Sequence, residues 1–314
     1  MAVFTATLSQ TAFLFLFIVA GYILAKGKFV PDNAHITLSK LESTLLIPAL
    51  MLGIFMENFT AQTITQVWKL LLGSLALTLI FIGLSIVCGR LCSKDKYTRN
   101  IYTYGLSFSN FGYVGNAVVS ALFPEIFLEY FIFTLPIWTM IYLWGIPVLL
   151  MDDGTAKQTL SQRAKRFVNP MFICTLLGMV IGLVNIPIPP FIRTAVTTAG
   201  NCMSPVAMLL TGMAIAHYDL LKILKIKSVY IITFLRLIIF PLLFLAVMRL
   251  IPMSQTFAVC AVTALSMPLG LSTIIIPSAL GKDTRVAAGM ALVSHILGCI
   301  TIPIIFMLFN YLVK

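Results

Sequence analysis

Eight residues in two short clusters hold most of the chemistry this chain offers. The first cluster is Asn110, Gly112, Gly115 and Asn116, within Ser107-Phe-Ser-Asn-Phe-Gly-Tyr-Val-Gly-Asn116. The second is Pro268, Gly270, Ser272 and Thr273, within Ser266-Met-Pro-Leu-Gly-Leu-Ser-Thr273. The amides donate and accept hydrogen bonds, and the hydroxyls do the same. Glycine frees the backbone and costs a helix about 1 kcal/mol against alanine. Proline removes an amide donor and clashes with the preceding turn. Each cluster should therefore interrupt a helix and expose polar backbone. Half-helix N-termini carry the positive end of the helix dipole and suit an anion, whereas carbonyl ends suit a cation.

Other candidates are few. Ser107 and Ser109 could hold a coupled ion beside the first cluster, and His295 could couple a proton, although a lone helix histidine is more often packed and hydrogen-bonded. His35 and His217 read as interfacial. Arg236 lies nine residues beyond Lys227, about 13 Å along a helix, which sets a charge deep in an apolar run. It could face an anion, satisfy helix-end carbonyls or pair with Glu42. Of the ten acidic residues, all but Glu42 fall in loops or at interfaces. No carboxylate lies near either cluster, which argues against an antiporter binding its cation on midplane carboxylates.

The elements that position these residues are apolar. Hydrophobic residues make up 60% of the 314 and charged residues 10%, with a mean hydropathy of +1.03. A soluble domain carries roughly a quarter charged residues. The composition predicts an all-α polytopic membrane protein without a soluble domain. Runs of about 20 apolar residues, the length a bilayer requires, occur at 6–25, 34–56, 66–89, 100–122, 126–150, 168–186, 195–217, 228–251, 254–280 and 286–312. The first run lacks a positively charged leader and a small-residue cleavage motif, and Lys26 and Lys28 follow it, so it reads as a retained span. The net charge of +11 resides in short loops without interleaved aromatics, so no nucleic-acid partner is expected. Membrane lipid is. Six cysteines scatter through apolar runs and suggest no disulfide, metal or cofactor site. Nucleotide-binding and hydrolase motifs are absent.

Loop charge sets an orientation. With the N-terminus outside, the inside loops hold sixteen Lys and Arg residues and the outside segments four. This bias predicts both termini outside. The two clusters lie 157 residues apart, half the chain, and the same shift lays Gly21 on Gly178 and Pro48 on Pro205. Five spans per half is odd, so the halves enter from opposite sides. The expected design is two inverted repeats, 1–150 (spans 1–5) and 169–314 (spans 6–10), joined by a cytoplasmic linker at 151–168. Matched breaks in such repeats are the best sequence pointer to a transporter's binding site.

Several segments together resemble the auxin efflux carrier family, in its short prokaryotic form often described as malate or organic-acid permeases. They are Leu-Leu-Ile-Pro48-Ala-Leu, Asn110-Phe-Gly-Tyr-Val-Gly-Asn116 with Leu-Phe-Pro124, Pro205 with Gly212, Arg236 with Pro241, and Pro268 through Gly281-Lys-Asp-Thr. The resemblance implies a fold similar to the bile-acid:sodium symporters, with broken spans 4 and 9 crossed and substrate bound beside the crossing. It implies a dimerising scaffold of spans 1, 2, 6 and 7, a moving domain of the rest, and elevator-type alternating access. The long central loop of the plant carriers is missing, and a small carboxylate fits better than a plant hormone. The expected function is secondary transport of a small organic anion across the plasma membrane by a homodimer. The alternatives are sodium-coupled symport of a steroid- or vitamin-like anion, with cation sites near Ser107, Ser109 and Asn110, and a membrane receptor that does not transport.

Overall fold

The computed structural model describes residues 2–151 and 170–313. The expected linker, 151–168, therefore lies outside the described residues apart from Met151. Among the described residues the chain is helical throughout, with no strand beyond one isolated bridge. We number the main helices α1 (Ala2–Lys26), α2 (Ala34–Asn58), α3 (Ala61–Cys92), α4 (Lys96–Ser107), α5 (Phe111–Leu122) and α6 (Pro124–Leu150). They continue as α7 (Pro170–Val184), α8 (Pro190–Ala216), α9 (Lys227–Leu250), α10 (Gln255–Ser266), α11 (Ser272–Ala279) and α12 (Arg285–Val313). Six of them, α2, α3, α6, α8, α9 and α12, are long and apolar enough to cross a membrane. Four shorter apolar helices fall where the sequence places spans 1, 4, 6 and 9.

Proline shapes the long helices. A proline ring clashes with the carbonyl four residues back and lacks a donor of its own. Helix α2 widens into a π turn at Glu42–Leu46 just before Pro48, and α9 does so at Leu235–Ile239 before Pro241. Pro147 sits inside a third π stretch, Ile141–Leu150. The wider turn absorbs the clash without ending the helix. Helix α8 instead changes direction at Cys202, three residues before Pro205.

Packing sorts the helices. Helix α1 lies along the second half of α8, and the first half of α8 and α7 both lie along α2. Helices α3, α4 and α6 pack together, as do α9, α10 and α12. Backbones come close where glycine permits it. A Cβ on Gly21 would collide with the Leu209 backbone, and one on Gly178 would fall 2.9 Å from the Leu52 carbonyl oxygen. Small residues that admit a neighbouring backbone are the usual means of association for apolar helices that gain little from burial against lipid.

Candidate functional site

Both predicted interruptions are present, and they meet. Helix α4 ends at Ser107 with Phe108 extended, and α10 ends at Ser266 with Met267 extended. The freed segments run antiparallel. Ser109 bridges to Leu269, the Asn110 amide donates to the Pro268 carbonyl at 2.7 Å, and the Gly270 amide donates to the Phe108 carbonyl at 3.1 Å. Each break thus satisfies backbone groups that hydrocarbon could not. Gly270 is required for this approach, since a Cβ there would strike the Phe108 carbonyl. Gly115 is required on the other side, where a Cβ would strike the Tyr130 hydroxyl, which donates to Phe111 O at 3.0 Å. Gly112 faces the Trp138 ring.

The carbonyl ends of α4 and α10 converge on one cation. Arg236 is 1% exposed and donates from Nη1 to Leu106 O at 2.8 Å, from Nη2 to Ala264 O at 2.6 Å and from Nε to Met267 O at 3.3 Å. Its guanidinium joins the ends of both half-helices. Of the three roles open to Arg236 in sequence, the structure selects the helix-end carbonyls; among the described residues no carboxylate pairs with it. Ser109 adds its hydroxyl to Ala264 O at 2.6 Å. Ser107 and Ser109 line a cavity of about 30 Å³ together with Arg236, a space of roughly one water molecule.

The opposite face carries the predicted amides. Asn110 is 2% exposed, and its Nδ2 donates to Nε2 of His295 at 2.8 Å. Nδ1 of His295 donates to Ala291 O at 2.7 Å. His295, which in sequence could couple a proton or simply pack and hydrogen-bond, accepts here from Asn110. Thr273 turns its hydroxyl onto Gly270 O at 2.8 Å, within its own turn, and Ser272 opens α11 facing the buried Tyr104 hydroxyl. Pro268 packs beside Gly298 and His295. Among the described residues no group of three His, Cys, Asp or Glu side chains could hold a metal.

Of the eight cluster residues, Asn116 alone lines a cavity beside the first break. That cavity, of about 570 Å³, lies between α1, the Asn58 end of α2, the second and third turns of α5 and the kink of α8. Its polar lining includes Asn116, Ser120, Thr197, Asn201, Ser204 and Glu57. Ser204 also donates to the Tyr113 carbonyl at 2.9 Å, which ties the kink of α8 to the first break. The sequence reading missed Asn201 and Ser204. The local signal for them is Pro205, which stands directly after Ser204. At the Asn58 end, Glu57 forms an ion pair with Arg193 at 3.7 Å with both groups partly exposed, a pair contributing about 0–1 kcal/mol.

A search of curated proteins gave no match. A model of membrane transport proteins, that of the auxin efflux carrier family, matches residues 6–306 and thus both broken helices, Arg236 and the cavity. The chain belongs to that family of membrane transporters.

Proposed function

We propose that the protein is a secondary transporter of a small organic anion, a carboxylate, which binds in the 570 Å³ cavity beside the first break. One observation carries this reading. A crossing of two broken helices offers two carbonyl ends and two amide ends, and here Arg236 already occupies the carbonyl ends. What remains toward the cavity is the second and third turns of α5, with the Asn116 amide and the Ser120 hydroxyl, on a helix whose positive end lies just behind them at Phe111, with a fixed buried cation at the crossing. Such a field favours an anion. The cavity volume lies within the range usual for small-molecule sites. Arg236 stands near Ser107 and Ser109, where a coupled sodium ion was expected, so the sodium-symport alternative loses support.

In the same reading the chain has ten spans in two inverted repeats, 1–150 and 169–314, with spans 4 and 9 crossed. Support comes from paired contacts. Gly21 meets Leu209 while Gly178 meets Leu52, and both Gly21 to Gly178 and Leu52 to Leu209 are steps of 157 residues. The π turn of α2 and the kink of α8 sit before the matched prolines Pro48 and Pro205. Helices α1, α2, α7 and α8 would form a dimerising scaffold in the plasma membrane, with both termini outside. The remaining helices would move against it as an elevator.

The test is flux. Proteoliposomes should take up radiolabelled malate or succinate above empty vesicles, and Asn116→Ala should lower uptake about tenfold, the loss of one hydrogen bond to a charged group. Unchanged uptake by that variant would remove the substrate from this cavity. No uptake across a panel of mono- and dicarboxylates would overturn the anion reading.

A further inference from the structure

Glu42 has no part in the site described so far. It is 1% exposed, and among the described residues neither carboxyl oxygen has a hydrogen-bond partner. The backbone amide of Ala207 in α8 is the polar group that faces it. Glu42 opens the π turn of α2, and such turns are frequent where a helix carries function.

Its position separates two openings. Toward the Asn58 end, Ala49, Leu50, Gly53 and Ile54 of the same helix line the 570 Å³ cavity. Toward the other end, His35, Ser39 and Lys40 line a cleft of about 30 Å³ against Ile274 and Ile275 of α11. Glu42 lies in the stretch between them, which is where a conformational change would transfer access from one opening to the other.

The charges around it are sparse. The second half of α8, Met203–Ala216, carries no titratable side chain. The first half carries Arg193, engaged with Glu57 at the far end of α2. Helix α7 carries Cys174, and Lys40 and His35 on α2 itself lie at the cleft. The titratable group that faces Glu42 electrostatically is Tyr113 of the first break. An ionised carboxylate in this position would be a dry charge without a counterion, which is strongly unfavourable. A neutral acid needs only one acceptor and one donor.

We propose that Glu42 is a proton-binding site that makes anion movement proton-coupled. The carboxylate takes one proton from water at one opening and returns it to water at the other, while Tyr113 and the break move past it. The inference rests on the anion-transport reading, and the experiment separates the two. Proteoliposomes are loaded with a carboxylate and assayed for exchange at equal pH, then for accumulation driven by an inward proton gradient.

Wild-type protein should exchange and should accumulate anion about tenfold per pH unit for one coupled proton. Glu42→Gln should retain exchange and lose gradient-driven accumulation. Accumulation by Glu42→Gln equal to wild type would overturn the proposal, as would wild-type exchange without any response to the gradient. Should Glu42→Gln also lose exchange, Glu42→Asp decides. Restored exchange with accumulation supports the proposal, and a folded Asp variant inactive in both assays makes Glu42 structural. Absence of wild-type exchange refutes the anion reading itself, and the coupling falls with it.

Discussion

The two faces of the helix crossing are built from the same backbone and end up chemically opposite. On the carbonyl face, three oxygens from the ends of α4 and α10 hold the Arg236 guanidinium, and Ser109 donates to one of them. Among the described residues, the Ser107 hydroxyl beside it is buried without a partner. On the amide face, Asn116 opens onto a 570 Å³ cavity beside the second and third turns of α5. Two broken helices could in principle bind an ion of either sign. In the proposed function, a tethered arginine on one face biases the other toward an anion.

The largest effect should come from breaking the carbonyl face. Arg236→Ala would remove the donor from the buried Leu106 and Met267 carbonyls, each costing about 1–3 kcal/mol when left unsatisfied, and leave Ala264 O to the Ser109 hydroxyl alone. It should yield little folded protein in a chromatographic stability assay, whereas Arg236→Lys, with three donors of its own, should retain part of it. Next is the bridge between the breaks. Gly270→Ala would push a Cβ against the Phe108 carbonyl and should cost about 1–3 kcal/mol, as overpacking usually does. Gly83→Ala is the matched control: nothing lies within 4 Å of its Cβ position, and helix propensity should make it neutral or stabilising by up to about 1 kcal/mol.

On the open face, Asn116→Asp should abolish carboxylate binding by like-charge repulsion and leave the thermal midpoint of the ligand-free protein nearly unchanged, since Asn116 borders the cavity. The smallest effect lies outside the crossing. Asp95 caps α4 by accepting from the Thr98 amide at 2.8 Å, and that bond holds its carboxyl below the usual carboxylate range. Its contribution is present above the ordinary value near 3.9 and is lost as pH falls through the lower folded-state value. The midpoint advantage of wild type over Asp95→Ala should shrink correspondingly on acidification.

Much of this was legible in the sequence because bilayer physics restricts what apolar segments can do. The helices follow the ten apolar runs to within a few residues, and both interruptions stand where Gly, Pro and Asn collect. The division of labour was less legible. Thr273 looks like a ligand in sequence, yet its hydroxyl returns to its own turn. His295 reads in sequence either as a proton carrier or as a packed, hydrogen-bonded histidine, and the fold sets it against Asn110. Arg236 could have served an anion or the helix ends, and only the three carbonyl contacts distinguish these. Side-chain hydrogen bonds across 130 residues, such as Arg236 to Leu106, leave no local pattern. The cavity was hidden for a similar reason: Asn116 and Ser204 come from different halves of the chain and meet only after folding.

The central claim is that the crossing attracts an anion because its cation is built in. The direct measurement is the thermal midpoint of the purified protein with potassium or choline salts of mono- and dicarboxylates, and separately with sodium chloride, for wild type and Asn116→Asp. A ligand of the folded state at a hundred times its Kd adds about 2.7 kcal/mol. Wild type should be stabilised by at least one carboxylate in saturable fashion, with no specific response to sodium, and Asn116→Asp should lose the stabilisation. Saturable stabilisation by sodium with none by any carboxylate would contradict the account.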